Sequence, residues 1–152
     1  MDKFEEYKSK IEATCKDYTT LLVDKESVLQ NGVSTAERSA PYGFSWIDYW
    51  RAMSGVYKSL LECSSCGKMI FADGIPPVLT KIYAVLGLDE NEHKALGGHL
   101  LVKEPQDHDY PGGFYITPLC PKCNAQRGKE ITIRQGSVLC KEITIEKTND
   151  DV

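Results

Sequence analysis

Two cysteine pairs constrain this chain more than any other feature of its 152 residues: Cys63/Cys66 and Cys120/Cys123, each with two residues between the thiols. That spacing lets a tight turn aim two sulfurs at one ion. Two such turns brought together complete a tetrahedron of thiolates, the ligand set of a structural zinc site. Gly67 follows the first pair and Pro121 lies inside the second, as knuckle turns require. Whatever fold the chain adopts must bring residues 63–66 and 120–123 together across the 53 residues between Cys66 and Cys120.

The remaining chemistry of the cysteines is restrictive. The opening "MDKFEEYKSKIEA" is charged from its second residue and carries no apolar leader, so the expected address is cytoplasmic and disulfides are not expected. Cys15 and Cys140 read as small buried residues. No apolar run reaches the roughly 18–20 residues of a membrane span. At 41% hydrophobic and 26% charged residues the composition is that of a globular domain. The charge is uneven within a net −4: residues 120–147 hold six basic and three acidic side chains, while residues 1–62 and 63–119 are net acidic. A polyanion would therefore be met after Cys120.

Periodicity divides the chain. Phe4, Tyr7, Ile11, Thr14, Tyr18 and Leu21 alternate at steps of three and four, which predicts a first helix packed on its own domain rather than a dimer seam. Residues 30–44 are turn-rich. Ser45, with Asp48 three residues on, caps a second helix whose stripe is Trp46, Trp50, Met53, Tyr57 and Leu60. Pro76 and Pro77 start a third, stopped at Gly87, with Val78, Ile82, Val85 and Leu86 as its expected buried face. Asp89 and Glu92 open a short helix ended by Gly97 and Gly98. The period then changes to two: residues 99–103 and 114–119 read as strands, and residues 131–145 as a hairpin turning at 135–137. The expected fold class is α+β, with a helical region 1–62, a metal-binding domain 63–147 carrying a helical insertion at about 74–96, and an acidic tail 148–152.

"CSSCG" at 63–67, "GGHL" at 97–100 and "LCPKCNAQRG" at 119–128 resemble the zinc-containing HNH, or ββα-metal, treble-clef proteins. The resemblance covers residues 63 to about 130 and is most specific in the last motif. It implies a zinc knuckle, a β-hairpin and a short helix, with Cys63, Cys66, Cys120 and Cys123 as the zinc ligands. Rubredoxin iron sites share the CxxCG…CPxC pattern, but Asn124 stands where they place Gly. By the HNH resemblance His99 is the general base of a nuclease, Asn124 a ligand of a catalytic Mg²⁺ or Mn²⁺, and Arg127, with Lys129 close behind, a phosphate contact; in a nuclease Arg134 would track the phosphates with them. Two positions depart from the pattern: Gly98 replaces the acid before the histidine, and Tyr115 replaces the asparagine that orients it. Asp107 and Asp109, around His108, are the carboxylates that would fill the gap. The expectation is accordingly a zinc-stabilised module without turnover that binds nucleic acid or a protein partner, as a monomer or weak dimer, with a divalent-metal endonuclease as the alternative.

Overall fold

The computed structural model describes residues 2–15, 18–32, 39–102 and 112–143. In chain order these form α1 (Lys3–Thr14), β1 (Thr20–Leu22), β2 (Ser27–Asn31), a 3-10 turn (Pro41–Gly43), α2 (Trp46–Ser54), β3 (Leu60–Glu62), β4 (Met69–Phe71) and α3 (Pro77–Leu86). A second 3-10 turn (Glu90–His93) leads to β5 (Leu96–Val102), β6 (Gly113–Leu119), α4 (Pro121–Asn124), β7 (Glu130–Ile133) and β8 (Val138–Lys141). The class is α+β, as expected.

Six strands form one antiparallel sheet in the order β1-β8-β6-β5-β2-β7, and β3 with β4 forms a separate two-stranded ribbon. The large sheet cannot be flat. In a flat sheet β1 and β2, and likewise β7 and β8, would lie four strand spacings apart, about 19 Å. Each pair is joined by only four residues, whose reach is about 17 Å. The sheet therefore curls, and the two short connections meet: Val23 N–H donates to Ser137 C=O and Gly136 N–H to Val23 C=O, both at 2.8 Å. Inside the curl lie Leu100, Tyr115, Ile133 and Leu139, all fully buried, while Ile116, paired with His99, is buried on the opposite face.

Helix α2 packs on β5, β6 and β8. Ser45 caps it, its hydroxyl accepting from Asp48 N–H, and Gly55 in the left-handed region ends it. The close approach depends on Gly97: a Cβ there would lie 2.6 Å from Trp46 Cβ and 2.7 Å from Ile47 N. Tyr49 and Trp50 then reach the sheet backbone, the phenol donating to Lys141 C=O and the indole to Val138 C=O. Helix α1 lies on α2, burying Phe4, Tyr7 and Ile11.

Several expectations are corrected. The first helix stops at Thr14, because Thr19, Thr20 and Val23 bring a β-favouring run that pairs with β8 instead. Tyr18 and Leu21 therefore lie outside it. Residues 1–62 are not wholly helical: β1 and β2 belong to the same sheet as β5–β8, and β2 sits between β5 and β7. The second helix ends before Tyr57 and Leu60, the latter lying in β3. Strands β7 and β8 both exist but do not pair with each other; β7 joins β2, and β8 joins β1 and β6. The third helix forms between its prolines and Gly87, but its expected buried face is exposed, and only Tyr83 on it is buried. The acidic tail lies outside the described residues.

Candidate metal centre and adjoining cavity

The ribbon β3–β4 is built around the first cysteine pair. Cys63 N–H donates to Lys68 C=O at 2.8 Å, and Gly67 N–H to Cys63 C=O at 2.9 Å. Gly67, at φ 78°, closes a turn that side-chain-bearing residues adopt only with strain. The second pair begins where β6 ends. Cys120 caps α4, its sulfur accepting from Cys123 N–H at 3.4 Å. Ser64 N–H reaches Pro118 C=O at 2.9 Å and ties the two halves together.

The four sulfurs of Cys63, Cys66, Cys120 and Cys123 all lie within 4.8 Å of one another, with Cys66 and Cys120 Sγ 3.7 Å apart. Zn–S bonds of 2.3 Å in a tetrahedron separate sulfurs by about 3.8 Å. These cysteines are thus positioned to bind one metal ion, and the set fits zinc. Burial alone would push the Cys63 thiol up, but N–H groups of Cys66, Cys120 and Ser65 directed at its sulfur outweigh this and hold it below its ordinary value. Cys66 and Cys123 are raised, first by burial and then by the neighbouring sulfurs. A divalent cation reverses that repulsion, so metal binding and thiol ionisation are one event. Cys140 is different: buried away from the cluster, its thiol is pushed up to about 12.

Asn31 is the residue the sequence concealed. "Asn-Gly" at 31–32 reads as a turn, yet Asn31 is the last residue of β2 and is buried. Its amide donates to the carbonyls of Cys123 and Asn124 at 3.3 and 3.0 Å. Its backbone pairs with the chain leaving the metal helix, through Lys129 C=O and Gly128 N–H.

Beside the metal helix lies a cavity of about 400 Å³ lined by His99, Asn124, Arg127, Lys94 and the first turn of α2. Three predicted site residues, His99, Asn124 and Arg127, are therefore brought together. Arg134 is not among them. It lies across Gly67, 3.4 Å from the Glu62 carboxylate, and borders a different cavity. Lys129 is exposed and lines neither cavity. Asp107, His108 and Asp109 lie outside the described residues.

His99 is buried on β5, with Trp46 edge-on at 5.1 Å and the Glu142 carboxylate 3.8 Å from Nε2. Glu142 has no local sequence signature. It reaches His99 because β8 pairs with β6 and β6 with β5, which puts the two residues on one face. Tyr115 pairs with Leu100 rather than with His99, so it occupies the opposite face and packs in the core. At Gly98 a Cβ would stand 2.3 Å from Leu119 Cδ1, 2.7 Å from its Cγ and 3.3 Å from Asn124 Oδ1. An acid at 98 would require Leu119 to move, and Leu119 is fully buried.

Comparison of the chain with protein-family models, with curated proteins and with solved structures finds no match.

Proposed function

We propose that the chain is a zinc-stabilised, HNH-like treble-clef module that binds nucleic acid by its phosphates in the cavity beside α4, without turnover. The order of a cysteine knuckle, a hairpin (β5–β6) and a cysteine-capped helix supports the treble-clef reading. Four sulfur ligands leave zinc no open position for chemistry, which makes its role structural. Binding rests on one observation: among the described residues the lining combines Lys94, Arg127, His99 and Asn124 and includes no carboxylate. The N-terminus of α2 opens there too, and the N–H groups of Trp46 and Ile47 belong to its first turn, where an anion is favoured. The packing of Gly98 against Leu119 supports the absence of turnover, because the family's metal-binding acid has no room there.

The endonuclease reading draws on a separate observation, the Glu142 carboxylate beside His99. A histidine held in this way suits a general base. Mg²⁺ or Mn²⁺ would then need Asn124 with Asp107 or Asp109, and would stabilise the scissile phosphate when bound.

Zinc-retaining protein is titrated into labelled single-stranded DNA, duplex DNA and RNA over a range of salt. Supercoiled plasmid, single-stranded DNA and RNA are incubated with Mg²⁺, Mn²⁺ or neither, beside His99→Ala. The expected result is salt-dependent binding that weakens about tenfold in Lys94→Ala/Arg127→Ala, with a shallower salt slope, and no cleavage. Cleavage that vanishes in His99→Ala would replace this reading with the second. Absence of binding to all three nucleic acids would overturn the phosphate cavity.

A further inference from the structure

Strand β3 pairs only with β4. In an antiparallel ladder, alternate residues send both N–H and C=O to the same side. Cys63 N–H donates to Lys68 C=O, and Ser59 C=O accepts from Ala72 N–H. Ser59, Leu61 and Cys63 therefore face β4, while Leu60, Glu62 and Ser64 face away. Ser64 bears out this parity: its N–H reaches Pro118 C=O and its C=O accepts from Arg134 N–H at 2.8 Å. Among the described residues the outward edge is thus occupied at Ser64 and open at Leu60 and Glu62.

A cavity of about 590 Å³ lies along this open stretch, bounded by Leu60–Ser64 on one side and by Arg134–Val138 on the other. It is the direction in which Ser64 already makes its hydrogen bonds. Trp50, Val56 and Val138 give the cavity an apolar wall, and Lys58 stands beside it. The side chains of Leu60 and Met69 at its rim are 43% and 54% exposed.

We infer that this edge takes a third strand: an extended peptide segment of another protein, paired through its main chain with Leu60 and Glu62. The open donors and acceptors repeat every second residue, roughly 7 Å apart, which is the repeat of an extended chain. A ligand must span that distance to satisfy both sets, as an extended main chain does at its own repeat. Alternate side chains of the incoming segment would enter the apolar wall, and Lys58 favours an acidic residue at one flank. This is the strand-addition mode of peptide recognition. It does not depend on the nucleic-acid reading, because the two cavities share no lining residue.

The test begins with a phage-displayed library of random decapeptides selected on the zinc-loaded chain. Amide hydrogen exchange of the free protein should show Leu60 and Glu62 exchanging at least tenfold faster than Leu61 and Cys63. A selected synthetic peptide at saturation should slow both by tenfold or more. N-methylation of that peptide at alternate residues should weaken binding about tenfold, and at the intervening residues little. Leu60→Pro removes one outward N–H without touching the β4 ladder, and should lose the peptide while keeping its zinc. If that variant does not fold, the N-methyl series still decides the matter on the unaltered protein. The inference is overturned if no peptide is selected. It is equally overturned if selected peptides leave Leu60 and Glu62 unprotected, or if affinity is indifferent to the position of the N-methyl group.

Discussion

Helices α2 and α3 are nine and ten residues long, and both carry large apolar side chains at helical spacing. In α2, six residues are buried, including Arg51. In α3 the stripe Val78, Ile82, Val85 and Leu86 keeps 74%, 48%, 84% and 65% of its surface exposed. The difference does not lie in the helices. α2 meets a surface prepared for it: Gly97 lets its first turn touch β5, and two backbone carbonyls receive Tyr49 and Trp50. α3 bridges the metal ribbon and β5, and its one buried side chain, Tyr83, rests edge-on against His93. Apolar periodicity says which face of a helix needs cover; only tertiary structure says whether the same chain supplies it.

The largest test of this contrast removes the metal. Both tryptophans, Trp46 and Trp50, lie in α2, so indole fluorescence reports on that helix alone. Structural zinc contributes on the order of 10 kcal/mol, comparable to the whole stability of a small domain. Chelation, or Cys120→Ser, should abolish the cooperative melt and shift the indole emission to the red. An unchanged melt with full metal content would sink the four-cysteine assignment.

Gly97→Val should come next. It pushes α2 off the sheet, and overpacking of this kind costs about 1–3 kcal/mol. Urea unfolding should show the loss, and an unchanged midpoint would mean that α2 does not need this seat.

Asp73 sharpens the contrast at smaller scale, since it precedes α3 and pairs with Arg51 of α2 at 2.8 Å. The hydrogen bond from Arg51 holds the Asp73 carboxyl below its usual value. Its folded pKa is depressed, so the stabilisation is present above the ordinary carboxylate pKa of about 4 and is lost as the pH falls through the lower folded value. Asp73→Asn should therefore melt slightly below the parent at pH 7, with the gap closing under acid. A gap that stays constant with pH would assign the effect to something other than ionisation. The smallest effect belongs to Val85→Lys on the exposed stripe, within about 0.5 kcal/mol of the parent; a large loss would mean that this face is covered in solution.

The parts legible in the sequence were those written locally. Cys63, Cys66, Cys120 and Cys123 announced themselves by spacing, and β5–β6 by a change of period. His99, Asn124 and Arg127 were found through a motif, and they do line one cavity. What could not be read depends on partners distant in the chain. Strand β1 has three residues and becomes a strand only because β8 lies beside it. Glu142 approaches His99 through two strand registers. Asn31 reads locally as a turn residue, and its burial depends on α4 lying against it. The exposed stripe of α3 has the same cause, since burial is a property of the neighbour as much as of the helix.

The strand order also sets a timetable. Early and late segments alternate across the curled sheet: β2 lies between β5 and β7, and β8 separates β1 from β6. As the ribosome delivers the chain from its N-terminus, β1 and β2 have no neighbours until residues 96–141 have emerged. Pairings this distant fold slowly, because the ends of long loops must first find each other. An ion that gathers Cys63, Cys66, Cys120 and Cys123 closes most of that distance in one step and leaves the hairpin β5–β6 as a template. A metal held by these cysteines would therefore shorten the loops that the earliest strands must close, as well as tie the finished fold together.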